Sequence, residues 1–203
     1  LLPKAANEDR FAAHAEREHI LRTPAKRPQQ LREIHQMRRE AEALSDAGRL
    51  AQALTRLAQL YLDVGRAPAA RRTLGPALDA ARRARSRLAE AGVMRLQAAL
   101  ARSLGQNGEA LELTAKALLL CGDDRNGLLE RGQVLSIRGT TRWNMARLRE
   151  AIEAYAEALV IYRKLKVPRQ EARALNNLGI VFAALSEFEE ALTHYKRALK
   201  LDS

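Results

Sequence analysis

Small and large apolar residues recur along this chain with a long period. The doublet Ala-Leu stands at Ala77-Leu78, Ala117-Leu118, Ala158-Leu159 and Ala198-Leu199, in steps of 40, 41 and 40 residues. Seven residues before each doublet lies another alanine: Ala70, Ala110, Ala151 and Ala191. Four residues after that alanine come Leu74, Thr114, Tyr155 and Tyr195. Positions i, i+4 and i+7 share one face of an α-helix, so each step predicts a helix with a small, apolar face that another helix can approach closely. A second helix is predicted before each of these. The clearest runs over 172–185, with Leu175, Leu178, Val181, Phe182 and Leu185 at helical spacing. Breaks fall at Gly65-Arg66-Ala67-Pro68, Gly105-Gln106-Asn107-Gly108 and Leu185-Ser186-Glu187. Glycine just past an apolar run ends a helix, and Pro68 suits a first turn. The predicted unit is therefore helix, tight turn, helix, longer loop.

The first 50 residues carry the pattern more faintly. Helices are predicted at about 8–21 and 29–47, joined by a turn at Thr23–Pro28. Two readings stay open for 1–50: a degenerate N-terminal repeat or an unrelated capping helix pair. Composition agrees with an all-α chain. Only 8 residues are aromatic, Gly (11) and Pro (6) are few, and 47% of residues are apolar. That is too apolar for a disordered chain, and helix formers dominate it. The single Cys121 excludes an internal disulfide and is expected to be a small apolar residue near a helix end. No apolar run is long enough to span a bilayer. The chain starts Leu-Leu-Pro without Met or a charged n-region. It is read as a piece of a longer protein or a processed form, cytoplasmic in location.

The last unit has Leu178-Gly179, Phe182, Ala191, Tyr195 and Ala198. These fall at the Leu-Gly, Tyr, Ala, Phe and Ala positions of the tetratricopeptide repeat, and the chain resembles that family in a longer form of about 40 residues. A unit at about 51–90 has Leu57-Ala58, Tyr61, Ala70, Leu74 and Ala77 at these positions. One at about 91–131 has Gln97-Ala98, Ala101, Ala110, Thr114 and Ala117. One at about 132–171 has Arg138-Gly139, Arg142, Ala151, Tyr155 and Ala158. The last covers about 172–203. Arg138 and Arg142 depart from the family's apolar positions, so the first helix of that unit is expected to be shifted or irregular. The resemblance implies a right-handed superhelical solenoid of about five antiparallel hairpins. Its first helices would line a concave wall, and its second helices would face outward. It also implies a non-catalytic scaffold that binds a protein or peptide, of the kind attached to bacterial signalling proteins.

Residues for catalysis are wanting. His14 and His19 are five apart and diverge on a helix, and neither a Gly-x-Gly-x-x-Gly nor a P-loop is present. No cofactor or metal is expected. Asp123-Asp124 reads as a helix cap and solvated turn. Net charge is +11. Seven arginines between Arg66 and Arg87 accompany one acid, Asp79, and are expected on an outward, solvated face. Nucleic-acid binding there is disfavoured by the lack of interleaved aromatics.

The sharper signal lies on the first helices. Repeats similar to Asn176-Asn177-Leu178-Gly179 hold an extended peptide through an Asn amide, which implies Asn177 as the main contact with Arg173 one turn before it. An amide offers both donor and acceptor, so it can satisfy a peptide backbone whatever the side chains are. Equivalent wall positions in the preceding unit are Gln133, Ser136, Thr140, Trp143 and Asn144. Further back come Arg95, Arg102 and Ser103, and then Gln52, Thr55, Arg56, Gln59 and Asp63. Trp143 is either an anchor in the groove or core between repeats. A wall so rich in Arg predicts an acidic or carboxylate-rich partner. The alternative is a self-assembly or structural module that docks on copies of itself, as a homo-oligomer through an open C-terminal end, or on its own effector domain.

Overall fold

A computed structural model describes residues 4–20 and 26–202. Those residues form ten helices and no strand. They are α1 (Lys4–Ile20), α2 (Arg27–Ala43), α3 (Ala47–Asp63), α4 (Ala67–Arg83) and α5 (Arg87–Ser103). Then come α6 (Asn107–Leu120), α7 (Arg125–Asn144), α8 (Leu148–Leu165), α9 (Pro168–Ala184) and α10 (Phe188–Asp202). The all-α reading of the periodicity holds. Half of the turn expected at Thr23–Pro28, residues 23–25, lies outside the described residues, and Arg27 and Pro28 already belong to α2.

The connections are tighter than the sequence pattern suggests. Ser45, Gly65, Arg85, Gly105, Ala146, Lys166 and Ser186 all have positive φ, between 52° and 77°. The residue after each donates its backbone N–H to the carbonyl five positions back, as in Arg66 to Tyr61 (2.8 Å) and Glu187 to Phe182 (2.9 Å). This six-to-one bond closes the helix end and turns the chain within three residues. The expected longer loop between units is thus absent at 44–46, 84–86 and 166–167 and present only at 121–124. Five of the seven turn residues are not glycine, which is why only the turns at Gly65, Gly105 and Ser186 were expected from the sequence.

The 121–124 connection is the exception. Cys121 follows the short α6, is buried outside any disulfide, and donates its Sγ–H to the Ala117 carbonyl. Asp124 caps α7 by accepting from Gly127 N–H at 3.1 Å, while Asp123 is exposed. A side chain at Gly127 would meet the Gly122 carbonyl at 2.5 Å. α7 itself is a continuous helix of 20 residues. The irregularity expected from Arg138 and Arg142 is instead a longer helix following a shorter one.

The chain divides into two compact units, Leu1–Leu100 and Ala101–Ser203. In the first, Leu54, Ala58, Leu74, Val93 and Leu96 form one apolar cluster, and Phe11, Met37, Ala41 and Ala53 another. In the second, Tyr155, Leu159 and Tyr162 of α8 pack with Leu175, Leu178 and Val181 of α9. The alanines of the repeat pattern sit where helices meet: Ala151 and Ala158 are fully buried, Ala191 and Ala198 nearly so.

Candidate functional site

Half of the sequence-derived wall lies on α7 and α9, in the second unit. Gly132 and Gly139 of α7 and Gly179 of α9 pack against tyrosines. An added Cβ at Gly139 would stand 2.8 Å from the Tyr155 ring, and one at Gly179 would stand 2.6 Å from Tyr195. Gly132 takes Tyr162 in the same way, at 2.7 Å. Glycine is required here because only a bare backbone lets the ring lie flat on the helix.

On α7 the rings claim the wall's hydroxyls. Tyr155 donates its OH to Thr140 Oγ1 at 2.9 Å, and Thr140 in turn donates to the Ser136 carbonyl. Ser136 Oγ lies 3.1 Å from the Tyr162 hydroxyl and donates to the Gly132 carbonyl. Burial pushes the Tyr155 phenol above its ordinary pKa, against the opposing pull of the Thr140 bond and Arg102. Arg142 bonds the Glu150 carbonyl at 3.0 Å and pairs with its carboxylate, tying α7 to α8. Trp143 is half-buried against the unit's core, and Asn144 is exposed at the end of α7. Trp143 is therefore both packed and partly presented.

On α9 the corresponding row is different. Its buried side holds Ala172, Ala174, Leu175, Leu178, Gly179 and Val181. Arg173, Asn176 and Ile180 are exposed in line, with Asn177 half-buried beside them. Among the described residues, neither Asn176 nor Asn177 has a hydrogen-bond partner and Arg173 has no ion-pair partner. The amides lie beside a guanidinium on a helix already anchored by its other face.

The remaining predicted positions do other work or stand elsewhere. In the first unit, Arg56 donates to the Ala15 carbonyl (2.8 Å) and to Glu18 Oε2 (2.6 Å). Glu18 is 1% exposed and also accepts from Gln30 Nε2 at 2.7 Å. Arg56 neutralises a buried carboxylate that would otherwise be costly. Gln59 bonds Asp63 within α3, Thr55 Oγ1 bonds the Ala51 carbonyl, and Gln52 is exposed. Arg95 and Arg102 are half-buried on α5, with Ser103 exposed at its end. Gln133 is half-buried on α7. Arg71, Arg72, Arg82 and Arg83 are exposed on α4, as the charge pattern implied.

Sequence reasoning missed the buried Glu18, whose partners Gln30 and Arg56 lie 12 and 38 residues away in the chain. It also missed that Tyr162 reaches Ser136, since the two are 26 residues apart in sequence. Among the described residues no group of three or more His, Cys, Asp or Glu could hold a metal ion. None of their helices is long and apolar enough to cross a membrane.

Residues 130–203 match the tetratricopeptide repeat family. No curated protein matches the chain. Among solved structures, BtubC (BKLC) from P. vanneervenii is similar at a TM-score of 0.66 and 20% identity, over 97% of this chain and 91% of that one. A Rap protein complexed with Competence and Sporulation Factor is similar at a TM-score of 0.82 and 14% identity. That match covers 95% of this chain and 54% of the Rap chain, about half its length. A putative kinesin light chain from Podospora anserina with nearly identical TPR-like repeats gives 0.63 and 13%, over 100% and 97%.

Proposed function

We propose that this chain, whose residues 130–203 match the tetratricopeptide repeat family, is a non-catalytic interaction module that holds an extended, acidic segment of a partner protein along α9 and the end of α7. The observation that carries this reading is the row of exposed Arg173 and Asn176 with half-buried Asn177, which has no bonding role in the described fold. An Asn amide can accept from and donate to one peptide unit of an extended strand. Arg173 supplies the charge that selects a carboxylate, and a guanidinium matches that group with two parallel bonds. Trp143 and Asn144 would extend the contact, with the indole edge as an apolar anchor. Ser136 and Thr140 would shape the floor, since their hydroxyls already serve Tyr162 and Tyr155.

The Rap structure holds Competence and Sporulation Factor on a fold of this kind, which is consistent with a bound peptide or protein here. The placement in a larger, cytoplasmic bacterial signalling protein rests on the resemblance of the long, arginine-rich repeats. The test is selection of peptides from a displayed random library by the whole chain. The selected peptides should be enriched in Asp and Glu. Binding of a selected peptide should weaken about tenfold with Asn177→Ala, the loss expected when one buried backbone bond goes unmet. Neutral or basic peptides, or equal binding by Asn177→Ala and Arg173→Glu, would overturn the reading.

A further inference from the structure

Positions 188, 192, 195 and 199 fall at i, i+4, i+7 and i+11 on α10 and share one face. They hold Phe188, Leu192, Tyr195 and Leu199. Phe188 is 66% exposed, Leu192 52% and Leu199 72%, with Tyr195 half-buried. The same register on α8 holds Leu148, Ile152, Tyr155 and Leu159. There Tyr155 and Leu159 are 3% and 6% exposed, and Leu148 and Ile152 pack against the core with them. α9 packs on α8, and its Leu175 and Leu178 belong to that core. The apolar stripe is therefore a covered surface in one hairpin and an open one in the next. Single exposed apolar residues are ordinary, but a continuous line of them on one helix marks a contact surface.

We infer that this face of α10 pairs antiparallel with the same face of a second copy of the chain, across a two-fold axis near Leu192 and Tyr195. Three observations select this occupant. The stripe is itself the apolar helix face that such a surface needs. By contrast α1, the helix a head-to-tail neighbour would present, exposes Asp9, Arg10, Glu16, Arg17 and His19. The charges beside the stripe are also self-complementary. Glu189 stands at the N-terminal end of α10, Lys196 and Lys200 stand toward its C-terminal end, and all three are exposed. Antiparallel pairing sets Glu189 of each copy near Lys196 of the other, because the same flank of the stripe meets itself across the axis. Such an interface is isologous and closes at two copies. The stripe spans about 16 Å of helix, so the area falls short of the ~800 Å² per partner typical of tight complexes, and the pairing belongs in the micromolar range. Its residues lie on α10 and not in the α9 row of the peptide reading, so separate variants test the two.

Sedimentation equilibrium of the whole chain, from about 1 μM to a few hundred μM, reads the association directly. The mass should rise from 22.6 kDa toward twice that value and stop there. Leu192→Glu with Leu199→Glu should remain at one copy throughout, with unchanged circular dichroism because both positions are exposed. Lys196→Glu alone should weaken the pairing several-fold, and adding Glu189→Lys should restore it. A single copy at every concentration would overturn the inference. So would pairing that survives the double glutamate variant, growth beyond two copies, or a charge swap that fails to restore. Peptide titration of Leu192→Glu should be unchanged, which keeps this result distinct from the fate of the α9 site.

Discussion

The α7–α8 and α9–α10 hairpins share a register but use it differently. In the first, Tyr155 and Tyr162 reach the wall hydroxyls Thr140 and Ser136 and engage them internally. In the second, Tyr195 lies on Gly179 as Tyr155 lies on Gly139, but the position matching Thr140 is Ile180. The position matching Ser136 is Asn176, which stays exposed and unpaired among the described residues. One repeat thus turns its polar residues to holding itself together, and the next presents them. A repeat motif fixes how helices stack. The residues between the motif positions decide whether a given face is structural or available.

The contrast can be broken most forcefully at the glycines. Tyr155 is 3% exposed and bonded at its hydroxyl, so it cannot step aside for a methyl group at Gly139. Gly139→Ala should cost about 1–3 kcal/mol from overpacking, less up to ~1 kcal/mol of regained helix propensity. Thermal unfolding should fall by about 2–4 °C for each kcal/mol lost. Gly179→Ala should cost less, because Tyr195 is only half-buried and can swing outward. Equal losses at the two sites would erase the distinction.

Next in size, Thr140→Val leaves the Tyr155 hydroxyl without its acceptor. A stability loss of about 1–3 kcal/mol is expected, measured by urea unfolding. Peptide affinity should change little, whereas Asn177→Ala should do the reverse, weakening the peptide about tenfold with stability intact. Arg173→Glu should weaken an acidic peptide further still, and that added loss should shrink as salt rises.

A smaller effect concerns pH. Burial, then Arg197 and Arg163, hold His194 below its ordinary 6.5 while its ring stacks on Phe182 at 5.2 Å. Burial, then Arg38 and Arg39, lower His35 likewise. The folded state keeps both rings neutral while the unfolded chain takes up protons. Stability is therefore complete above about pH 6.5 and declines as pH falls below it. His194→Phe retains a stacked ring without the titrating group, so melting temperature should depend less on pH across that window. The smallest effect is expected at α4. Changing Arg71, Arg72, Arg82 and Arg83 together to Gln should leave peptide affinity within a few-fold at physiological salt, where screening acts over about 8 Å.

Much of the fold was legible because its signals are local. The alanines at 70, 77, 151 and 158 repeat where helices meet, and a period of that length is the mark of stacked helical units. Turns built on Arg85, Ala146 and Lys166 were not legible, since their positive φ is imposed by the packing on either side. The site was read only in part. Asn177 and Arg173 were singled out by the resemblance of Asn176-Asn177-Leu178-Gly179 to peptide-holding repeats. The engagement of Ser136, Thr140 and Arg56 could not, because their partners lie 15 to 41 residues away and are brought in by tertiary packing.

The tight turns have a kinetic consequence. α1 packs on α2, α2 on α3 and α3 on α4, and α6 through α10 pack each on the next, so the chain needs no distant segment to find its partner. Loops of three residues cost little entropy to close, and a hairpin of two helices can form before its neighbours exist. Folding can begin at more than one hairpin and spread by nearest-neighbour docking. The longer connection at 121–124 is then the place where two growing nuclei, one on each side, would meet last.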